Sequence, residues 1–296
     1  MARFGFSNNK TFLPLIYQQS IFIPLLCLVF TDLANARFQQ LSDIELGSEQ
    51  CSIADITVAS KNRLLINNIS KESVQLYNSK TGELMTEIQL NGVAENICMY
   101  GSEKAAVGMR KKKKVQLIEI KEDTLTLDRE LDVNKDVLGI TSSDDRLVVS
   151  YSSEPWLEVI SPEEEGKVEC MLDNTEAAQY FKFPNYLTSS KSGYIYVSDS
   201  GTDTIIKLNR KLQVLQTFTG TQLHTPYGIA LVGRDQLIVC NGGTRNFVLL
   251  RLDTGDMSII LENHNIIPYH ISFCHERKCI YLASGVTTSI NVFEMD

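Results

Sequence analysis

Two His and two Cys side chains near the end of the chain have a metal-ligand spacing. His270, Cys274, His275 and Cys279 form the pattern H-x3-C-H-x3-C. Structural zinc sites draw on two pairs of such ligands, and the sequence has no second pair of similar spacing. Cys274 and Cys279 instead flank a four-residue turn, which places them opposite one another on a hairpin. We therefore predict no metal and no cofactor, and a cross-strand disulfide if the chain is secreted.

A run of five basic side chains is the second group that can do chemistry. It consists of Arg110, Lys111, Lys112, Lys113 and Lys114. The run is either a contact for phosphate or an acidic partner, or a solvated and mobile charge cluster. The formal net charge of −8 argues against broad, charge-driven binding of nucleic acid. Any attraction by the run is therefore local and sensitive to salt.

These groups have to be positioned by a repeated element. The sequence Pro184-Asn185-Tyr186-Leu187 recurs as Pro226-Tyr227-Gly228-Ile229 and as Pro268-Tyr269-His270-Ile271, each time 42 residues later. Apolar anchors continue the repeat through the chain at Ile66, Val107, Val149, Val197, Val239 and Leu282. A period near 40 with several short strands is typical of a β-propeller blade. The sequence predicts an all-β, six-bladed β-propeller with four-stranded blades.

The last unit contains only three predicted strands before the sequence ends. A lone strand-like segment, Phe38 to Leu46, precedes the first unit. Pairing this segment with the last blade would remove an open sheet edge. We predict that residues 37–296 form a single propeller closed in this way. The interval of 48 residues between Val149 and Val197 contains an insertion, Asp173 to Lys182, expected to be a short helix or a long loop.

Units four and five carry a recognisable family pattern. Gly193-Tyr194-Ile195-Tyr196-Val197-Ser198-Asp199 is followed by Pro226-Tyr227-Gly228-Ile229-Ala230. This pattern resembles the NHL-repeat propellers, and is similar to the C-terminal propeller of tripartite-motif proteins without their ring, B-box and coiled-coil segments. The resemblance implies a recognition domain rather than ubiquitin ligation.

The loops between second and third strands and the loops between blades open on one face of such a propeller, which we call the first face. The basic run lies there, and so do the aromatic and Arg side chains that dominate binding hot spots. The predicted partner-binding residues are Arg110, Lys111, Lys112, Lys113, Lys114, Trp156, Tyr227, Arg245, Tyr269 and His270. Asp199, Asp203 and Asn241 are interpreted as turn residues.

These features predict a non-enzymatic, monomeric recognition scaffold for a protein or peptide partner, with no membrane contact by the propeller. RNA binding of the tripartite-motif type is one alternative. A metal-dependent propeller hydrolase of the gluconolactonase type is another, although the sequence has no G-x-S-x-G motif, no phosphate loop and no recognisable triad.

Residues 1–36 form a separate leader. Arg3 and Lys10 precede a ten-residue apolar run from Ile21 to Phe30, and Ala34-Asn35-Ala36 follows. This layout is typical of a secretory signal peptide, with a membrane anchor or an accidental leader as alternatives. The expected location is the secretory pathway, and the alternative is the cytoplasm. Asn68-Ile69-Ser70 would then be a glycosylation acceptor at Asn68.

Overall fold

The computed structural model describes residues 36–47, 51–152, 154–262 and 267–295. Almost all of the leader lies outside these ranges, so the predicted signal peptide is not described. Within them the chain forms six antiparallel sheets, and the first strand of each sheet packs against the first strands of both neighbouring sheets. The sheets therefore close into a ring, and the predicted six-bladed propeller is confirmed.

Two strands precede the first blade, and three complete blades follow. The two preceding strands are β1 (Phe38–Gln40) and β2 (Ile44–Glu45). Blade one is built from β3 (Cys51–Ser60), β4 (Arg63–Asn68), β5 (Ser73–Asn78) and β6 (Leu84–Gln89). Blade two is built from β7 (Ala94–Met99), β8 (Lys104–Met109), β9 (Lys114–Lys121) and β10 (Thr124–Asp132). Blade three is built from β11 (Val137–Ser143), β12 (Arg146–Tyr151), β13 (Leu157–Ser161) and β14 (Lys167–Leu172).

The insertion after blade three forms one short helix, α1 (Asn174–Ala177), capped by the Asp173 side chain, which accepts from two backbone N–H groups of the first turn. Blade four is built from β15 (Pro184–Ser189), β16 (Ile195–Asp199), β17 (Thr204–Leu208) and β18 (Val214–Phe218). Blade five is built from β19 (Pro226–Val232), β20 (Gln236–Asn241), β21 (Asn246–Arg251) and β22 (Met257–Glu262). Blade six contains β23 (His270–Cys274), β24 (Cys279–Ala283) and β26 (Ser289–Met295), and the two-residue strand β25 (Val286–Thr287) lies between the last two in the chain.

The N-terminal segment completes blade six as predicted. β1 pairs antiparallel with β26, Phe38 lying opposite Met295, and β2 pairs with the other end of the same strand, Ile44 lying opposite Ile290. β25 crosses to the neighbouring blade and pairs with β3. The ring is thus fastened twice, once by the outer strand of blade six and once by this two-residue link to blade one.

The core lies between neighbouring blades rather than inside each sheet. All six anchor residues of the second strands are fully or almost fully buried. The buried side chains divide into six clusters, one for each interface between adjacent blades. β-Branched and leucine side chains suit these positions because they pack well between two pleated surfaces. The whole repeat pattern is therefore explained by packing of blade against blade.

The residue after each anchor faces the next blade at short range. Ser150 and Ser198 donate hydrogen bonds to the backbone carbonyls of Pro184 (2.7 Å) and Tyr227 (2.6 Å), the starts of the next inner strands. Gly108 occupies the same place in blade two, where a Cβ atom would lie 2.5 Å from Val137. Small side chains at this position therefore set how closely successive blades approach.

Candidate functional site

The second-to-third turns and the between-blade loops do share one face. The Lys112 side chain reaches Gly92, in the loop between blades one and two, and the carbonyl of Lys113 accepts from the backbone N–H of Val133, in the next between-blade loop. The predicted partner-binding residues all belong to this first face or to the strand ends next to it. They do not, however, form one continuous group.

The basic run is a tight turn held by ion pairs at both ends. Lys111 and Lys113 adopt positive φ angles of 58° and 53°. Arg110 pairs with Glu95 at 2.8 Å, and Lys114 pairs with Glu130 at 3.4 Å and with Asp132 at 3.0 Å. The Arg110 pair matters for the site because Glu95 belongs to an inner strand. This ion pair holds the start of the basic turn next to the inner strand β7, on the side of the turn that faces the centre of the first face.

Trp156, a predicted hot spot, has mainly intramolecular contacts. Its ring packs against the core between blades two and three, and the Lys135 ammonium lies 4.3 Å from the ring centroid. The indole Nε1–H donates to Glu158 Oε1 at 3.1 Å. The side chain is half-buried. Trp156 thus packs within blade three, and its role in partner binding stays a prediction.

Glu158 itself is a fully buried carboxyl group with three side-chain donors. Besides Trp156, it accepts from the Asn134 amide at 2.6 Å and from the Tyr151 hydroxyl. Burial and the adjoining carboxyl group raise the pKa of Tyr151, which keeps its hydroxyl protonated as a donor. We call Asn134, Tyr151, Trp156 and Glu158 the blade-three network.

Arg245 is an exposed residue of the second-to-third turn of blade five. It has a positive φ of 57°, and its backbone N–H donates to the carbonyl of Asn241 at 2.8 Å. The turn interpretation is confirmed for Asp199, at the second-to-third turn of blade four. Asp199 accepts four backbone hydrogen bonds, from Lys182, Phe183, Gly201 and Thr202, and Asp203 accepts one from Thr225.

The inner strands place one residue of each blade at the same level around the axis. The residue that immediately precedes the partner of each anchor is Asp55, Asn96, Gly139, Tyr186, Gly228 or His270, in blade order. We call these six residues the channel ring. Five of the inner strands have a register shift just ahead of this level, and such bulges commonly re-aim side chains near binding sites.

Three members of the channel ring approach one another across the axis. The Tyr186 hydroxyl of blade four lies 3.1 Å from His270 Nδ1 of blade six. This contact spans blade five, whose channel-ring residue is Gly228 and has no side chain. His270 Nδ1 lies 3.7 Å from Asp55 Oδ1 of blade one. Asp55 accepts backbone hydrogen bonds from Ile56 (2.9 Å) and from Ile97 of blade two (3.1 Å). Side chains of non-adjacent blades can meet only in the centre of the ring.

Tyr227 and Tyr269 lie one residue closer to the first face than the channel ring. Their ring centroids are 4.7 Å apart, and Tyr227 meets Tyr186 edge to face at 6.4 Å with an interplanar angle of 81°. Tyr227 packs over Gly242 and Tyr269 lies near Gly285, each the glycine of its own second-to-third turn. All three tyrosines are half-buried. Together with Asp55 and His270 they form what we call the channel mouth.

Burial shifts the titrating groups of the channel mouth in opposite directions. It raises the pKa of Asp55 from 3.8 to about 7, although two backbone hydrogen bonds partly oppose the shift. It lowers the pKa of His270 from 6.5 to about 3, with a hydrogen bond to the Ile53 backbone acting the other way. His270 is therefore neutral at pH 7, and Asp55 changes charge near that pH.

The Cys and His residues of blade six do not converge on a metal site. Cys274 and Cys279 lie directly opposite one another, as predicted, but both are free thiols in the structure. Cys274 Sγ faces the Lys61 carbonyl and Cys279 Sγ the Arg277 carbonyl. Among the described residues no group of three or more His, Cys, Asp or Glu side chains is arranged to hold a metal ion. The disulfide stays a prediction.

The prediction of Asn68 as a glycosylation acceptor needs correction. Asn68 is fully buried, its amide faces Gln75 Oε1 at 3.4 Å, and its Oδ1 accepts from the backbone N–H of Lys71. A glycan on this nitrogen would displace these contacts in the folded blade.

In the ranges that the structure covers, no helix has the length and apolar character to cross a membrane.

Comparisons with known proteins identify the fold and nothing finer. No protein-family model matches the chain, and no curated protein matches it. A structural genomics protein of unknown function from Bacteroides thetaiotaomicron has a TM-score of 0.70 at 12% identity, over 88% of this chain and 76% of that one. A streptogramin B lyase has a TM-score of 0.65 at 10% identity, over 88% and 98%.

A third similar structure is the Cps50 (Swd1) beta-propeller domain of Myceliophteria thermophila. Its TM-score is 0.60 at 12% identity, and the match covers 81% of this chain and 82% of that one. The three similar structures thus comprise a protein of unknown function, a lyase and a propeller domain. At 10–12% identity they share a backbone with this chain, so function has to be argued from the site itself.

Asp55 and Tyr186 are the two channel-mouth residues that the sequence did not single out. The signal was present in the repeat, since Tyr186 occupies the same place as His270, two residues after the recurring proline. Asp55 lies in a unit without that proline, so its place in the ring follows only from the strand pairing.

Proposed function

We propose that this propeller is a non-catalytic recognition module that binds a segment of a protein partner at the channel mouth on its first face. The observation that carries the proposal is the gathering of three half-buried tyrosines from blades four to six at the axis. Tyrosine supplies a large and rigid contact area together with a polar end, which is why it is enriched in binding hot spots.

Two further points support a protein segment as the partner. The resemblance of units four and five to NHL propellers of tripartite-motif proteins favours a binding role over catalysis. The basic turn is the one feature that favours RNA, but its two ends are already neutralised by Glu95, Glu130 and Asp132. A chain of net charge −8 with a partly neutralised basic turn is poorly suited to contact several phosphates.

The test selects peptides from a random display library on the full-length chain. Enriched peptides should bind the unaltered chain and lose about 30-fold in affinity on Tyr227→Ala or Tyr269→Ala, which corresponds to ~2 kcal/mol for a hot spot. Tyr194→Ala is the matched control, because Tyr194 precedes the second strand of blade four, on the opposite face, and is 37% exposed. Equal losses in all three variants would overturn the proposal.

A random RNA pool selected under the same conditions provides the competing outcome. Enrichment of RNA that depends on Arg110 and Lys112, with no peptide enriched, would replace the proposal by an RNA-binding one.

The compartment of the partner is tested separately by mass spectrometry of the mature N-terminus from a secretory host. Secretion after cleavage at Ala36 predicts Arg37 as the first residue.

A further inference from the structure

In the part of the chain that the structure describes, the carboxyl group of Asp55 forms no ion pair with a Lys or Arg side chain. Its neighbours are two backbone N–H groups and the imidazole of His270, and burial keeps that imidazole neutral near pH 7. The Asp55 side chain is 13% exposed, so the carboxyl group is not sealed off from the channel mouth. A carboxylate withdrawn from water without a counter-charge is unfavourable, and a ligand that brings a positive charge relieves the penalty.

The aromatic walls above Asp55 suit the same kind of ligand. Tyr186 and Tyr227 stand nearly perpendicular to one another, and Tyr269 lies beside Tyr227. Aromatic faces carry partial negative charge and attract an ammonium group within about 6 Å of the ring centroid. A set of tyrosine rings over a carboxylate attracts a cation and has nothing comparable to offer a neutral or anionic group.

The depth of the carboxyl group restricts the shape of the ligand. Asp55 belongs to the channel ring, whereas Tyr227 and Tyr269 lie one residue closer to the first face, so a ligand has to pass the tyrosines before it meets the acid. One residue of strand spans roughly 3.3 Å. A charge at the end of a slender, unbranched stem fits this path better than a bulky or branched group.

We propose that the channel mouth binds the ammonium group of a lysine side chain of the partner, with Asp55 as its counter-charge and Tyr186, Tyr227 and Tyr269 as its aromatic walls. This inference rests on the proposed function, since it names the side chain that the partner segment inserts. It gives His270 a positioning role: the hydrogen bond between its Nδ1 and the Tyr186 hydroxyl fixes the Tyr186 ring.

The test uses small probes on the full-length chain with ¹³C-labelled tyrosine rings. Nα-acetyl-lysine methylamide is titrated and compared with the norleucine derivative, which keeps the stem and removes the charge. We expect saturable shifts of the signals of Tyr186, Tyr227 and Tyr269, assigned by single Tyr→Phe variants, and none of Tyr194. The lysine probe should bind at least tenfold more tightly than the norleucine probe.

Asp55→Asn keeps the shape of the side chain and removes its charge. It should weaken the lysine probe at least tenfold and leave the norleucine probe unchanged, and a single cooperative melting transition verifies that the variant is folded. Equal binding of the two probes, or full retention of lysine binding by Asp55→Asn, would overturn the inference. Tighter binding of an arginine probe than of the lysine probe would overturn it as well.

Affinity should also depend on pH, because only the ionised acid attracts the probe. The titrating groups that interact with Asp55 are His270 on β23, Cys98 on β7 and Tyr186 on β15, and Glu95 on β7 interacts with Tyr186 and pairs with Arg110. His270 and Cys98 are kept neutral near pH 7 by burial, and the pKa of Tyr186 is also raised. Lysine affinity should therefore rise between pH 5.5 and 8.5 with an inflection near 7, and Asp55→Asn should abolish the rise.

The inference and the proposed function fail in different ways. The inference would be wrong, and the proposed function would still hold, if selected peptides bind through Tyr227 and keep their affinity when every lysine is replaced by norleucine. A lysine probe that binds while no peptide is enriched would overturn the proposed function and keep the cation site.

Discussion

The blade-three network and the channel mouth both place a carboxyl group beneath aromatic side chains on the same face of the ring. At blade three, Glu158 is fully buried and accepts from three side-chain donors, and Lys135 covers the outer surface of Trp156. At the channel mouth, Asp55 is 13% exposed and, among the described residues, accepts from two backbone N–H groups and lies beside the His270 imidazole.

Under the proposed function, this difference separates an aromatic residue that contributes to folding from one that contacts a partner. The sequence alone ranks Trp156 with Tyr227 and Tyr269, because residue type is all that it offers. The hydrogen bonds distinguish them: where a carboxyl group has all the donors it needs, the aromatic group above it contributes to folding. Where donors are missing, a ligand can supply them.

The largest expected effect is the loss of the blade-three carboxyl group. Glu158→Ala leaves the Trp156, Asn134 and Tyr151 donors buried without an acceptor, so the free energy of unfolding should fall by about 3 kcal/mol. Urea unfolding of the full-length chain measures this. Glu163→Ala is the matched control, because Glu163 is exposed in the same blade and its loss should cost less than about 0.5 kcal/mol. A cost below 1 kcal/mol at Glu158 would mean that the two carboxyl sites do not differ.

Gly228→Ala sharpens the comparison from the side of the channel mouth. A Cβ atom there would lie 2.7 Å from the Tyr269 carbonyl and 3.1 Å from the Ile271 nitrogen, and backbone cannot move aside as a side chain can. We expect the free energy of unfolding to fall by about 2 kcal/mol and the NMR signals of the Tyr186 and Tyr269 rings to shift. Gly220→Ala meets only the flexible ends of Gln222 and Met257 and should cost under about 1 kcal/mol. Similar costs for both substitutions would contradict the predicted rigidity.

Single substitutions of Asp55 and His270 should change the pH dependence of the free energy of unfolding in opposite directions. Because the folded pKa of Asp55 is raised to about 7, the folded chain holds an extra proton between pH 4 and 7, and this contribution to stability is lost as pH rises. The lowered pKa of His270 has the reverse effect between pH 3 and 6.5, where stability grows with pH. In the unaltered chain the two contributions largely cancel between pH 4 and 6.5.

Asp55→Asn should therefore make the free energy of unfolding rise with pH relative to the unaltered chain, by up to ~1.4 kcal/mol per pH unit. His270→Gln should make it fall with pH by a similar amount. Urea titrations at pH 4.5, 5.5 and 6.5 measure both slopes. Variants whose slopes match that of the unaltered chain would show that neither group is perturbed by burial.

The smallest effect is expected at the basic turn. Changing Lys111, Lys112 and Lys113 together to Ser should weaken binding of a selected peptide at most threefold at physiological salt, because exposed charges are screened beyond about 8 Å. The loss should grow at low salt, and the melting curve should stay unchanged. A tenfold loss at 150 mM salt would move the centre of recognition from the channel mouth to the basic turn.

Regularities along the chain carried enough information to predict most of the fold. The anchors at Ile66 to Leu282 marked the second strands, and the unpartnered Phe38–Leu46 segment indicated how blade six is completed. Both are consequences of packing that repeats from blade to blade, and a repeat is visible in one sequence. The short helix after Asp173 was left open because four residues give no periodicity.

The site was less predictable because it is assembled from residues that are not repeated. Tyr186, Gly228 and His270 occupy one repeat position yet share no chemistry, and Asp55 joins them from a unit whose inner strand lacks the proline signature. The burial of Asn68 and the hydrogen bond from Trp156 to Glu158 depend on which residues are neighbours in three dimensions. Spacing along the chain does not reveal these neighbours.

Completion of blade six by β1 and β2 also fixes the order of events while the protein is being made. Ribosomes add roughly 5–20 residues per second, so β1 waits roughly 10–50 s for β26, its partner some 250 residues later. Blades one to five can form in that interval, and the waiting strand keeps an unpaired edge that a chaperone or a neighbouring nascent chain can engage. Translation speed through the middle blades, rather than any property of β1, therefore sets how long the unfinished ring is vulnerable.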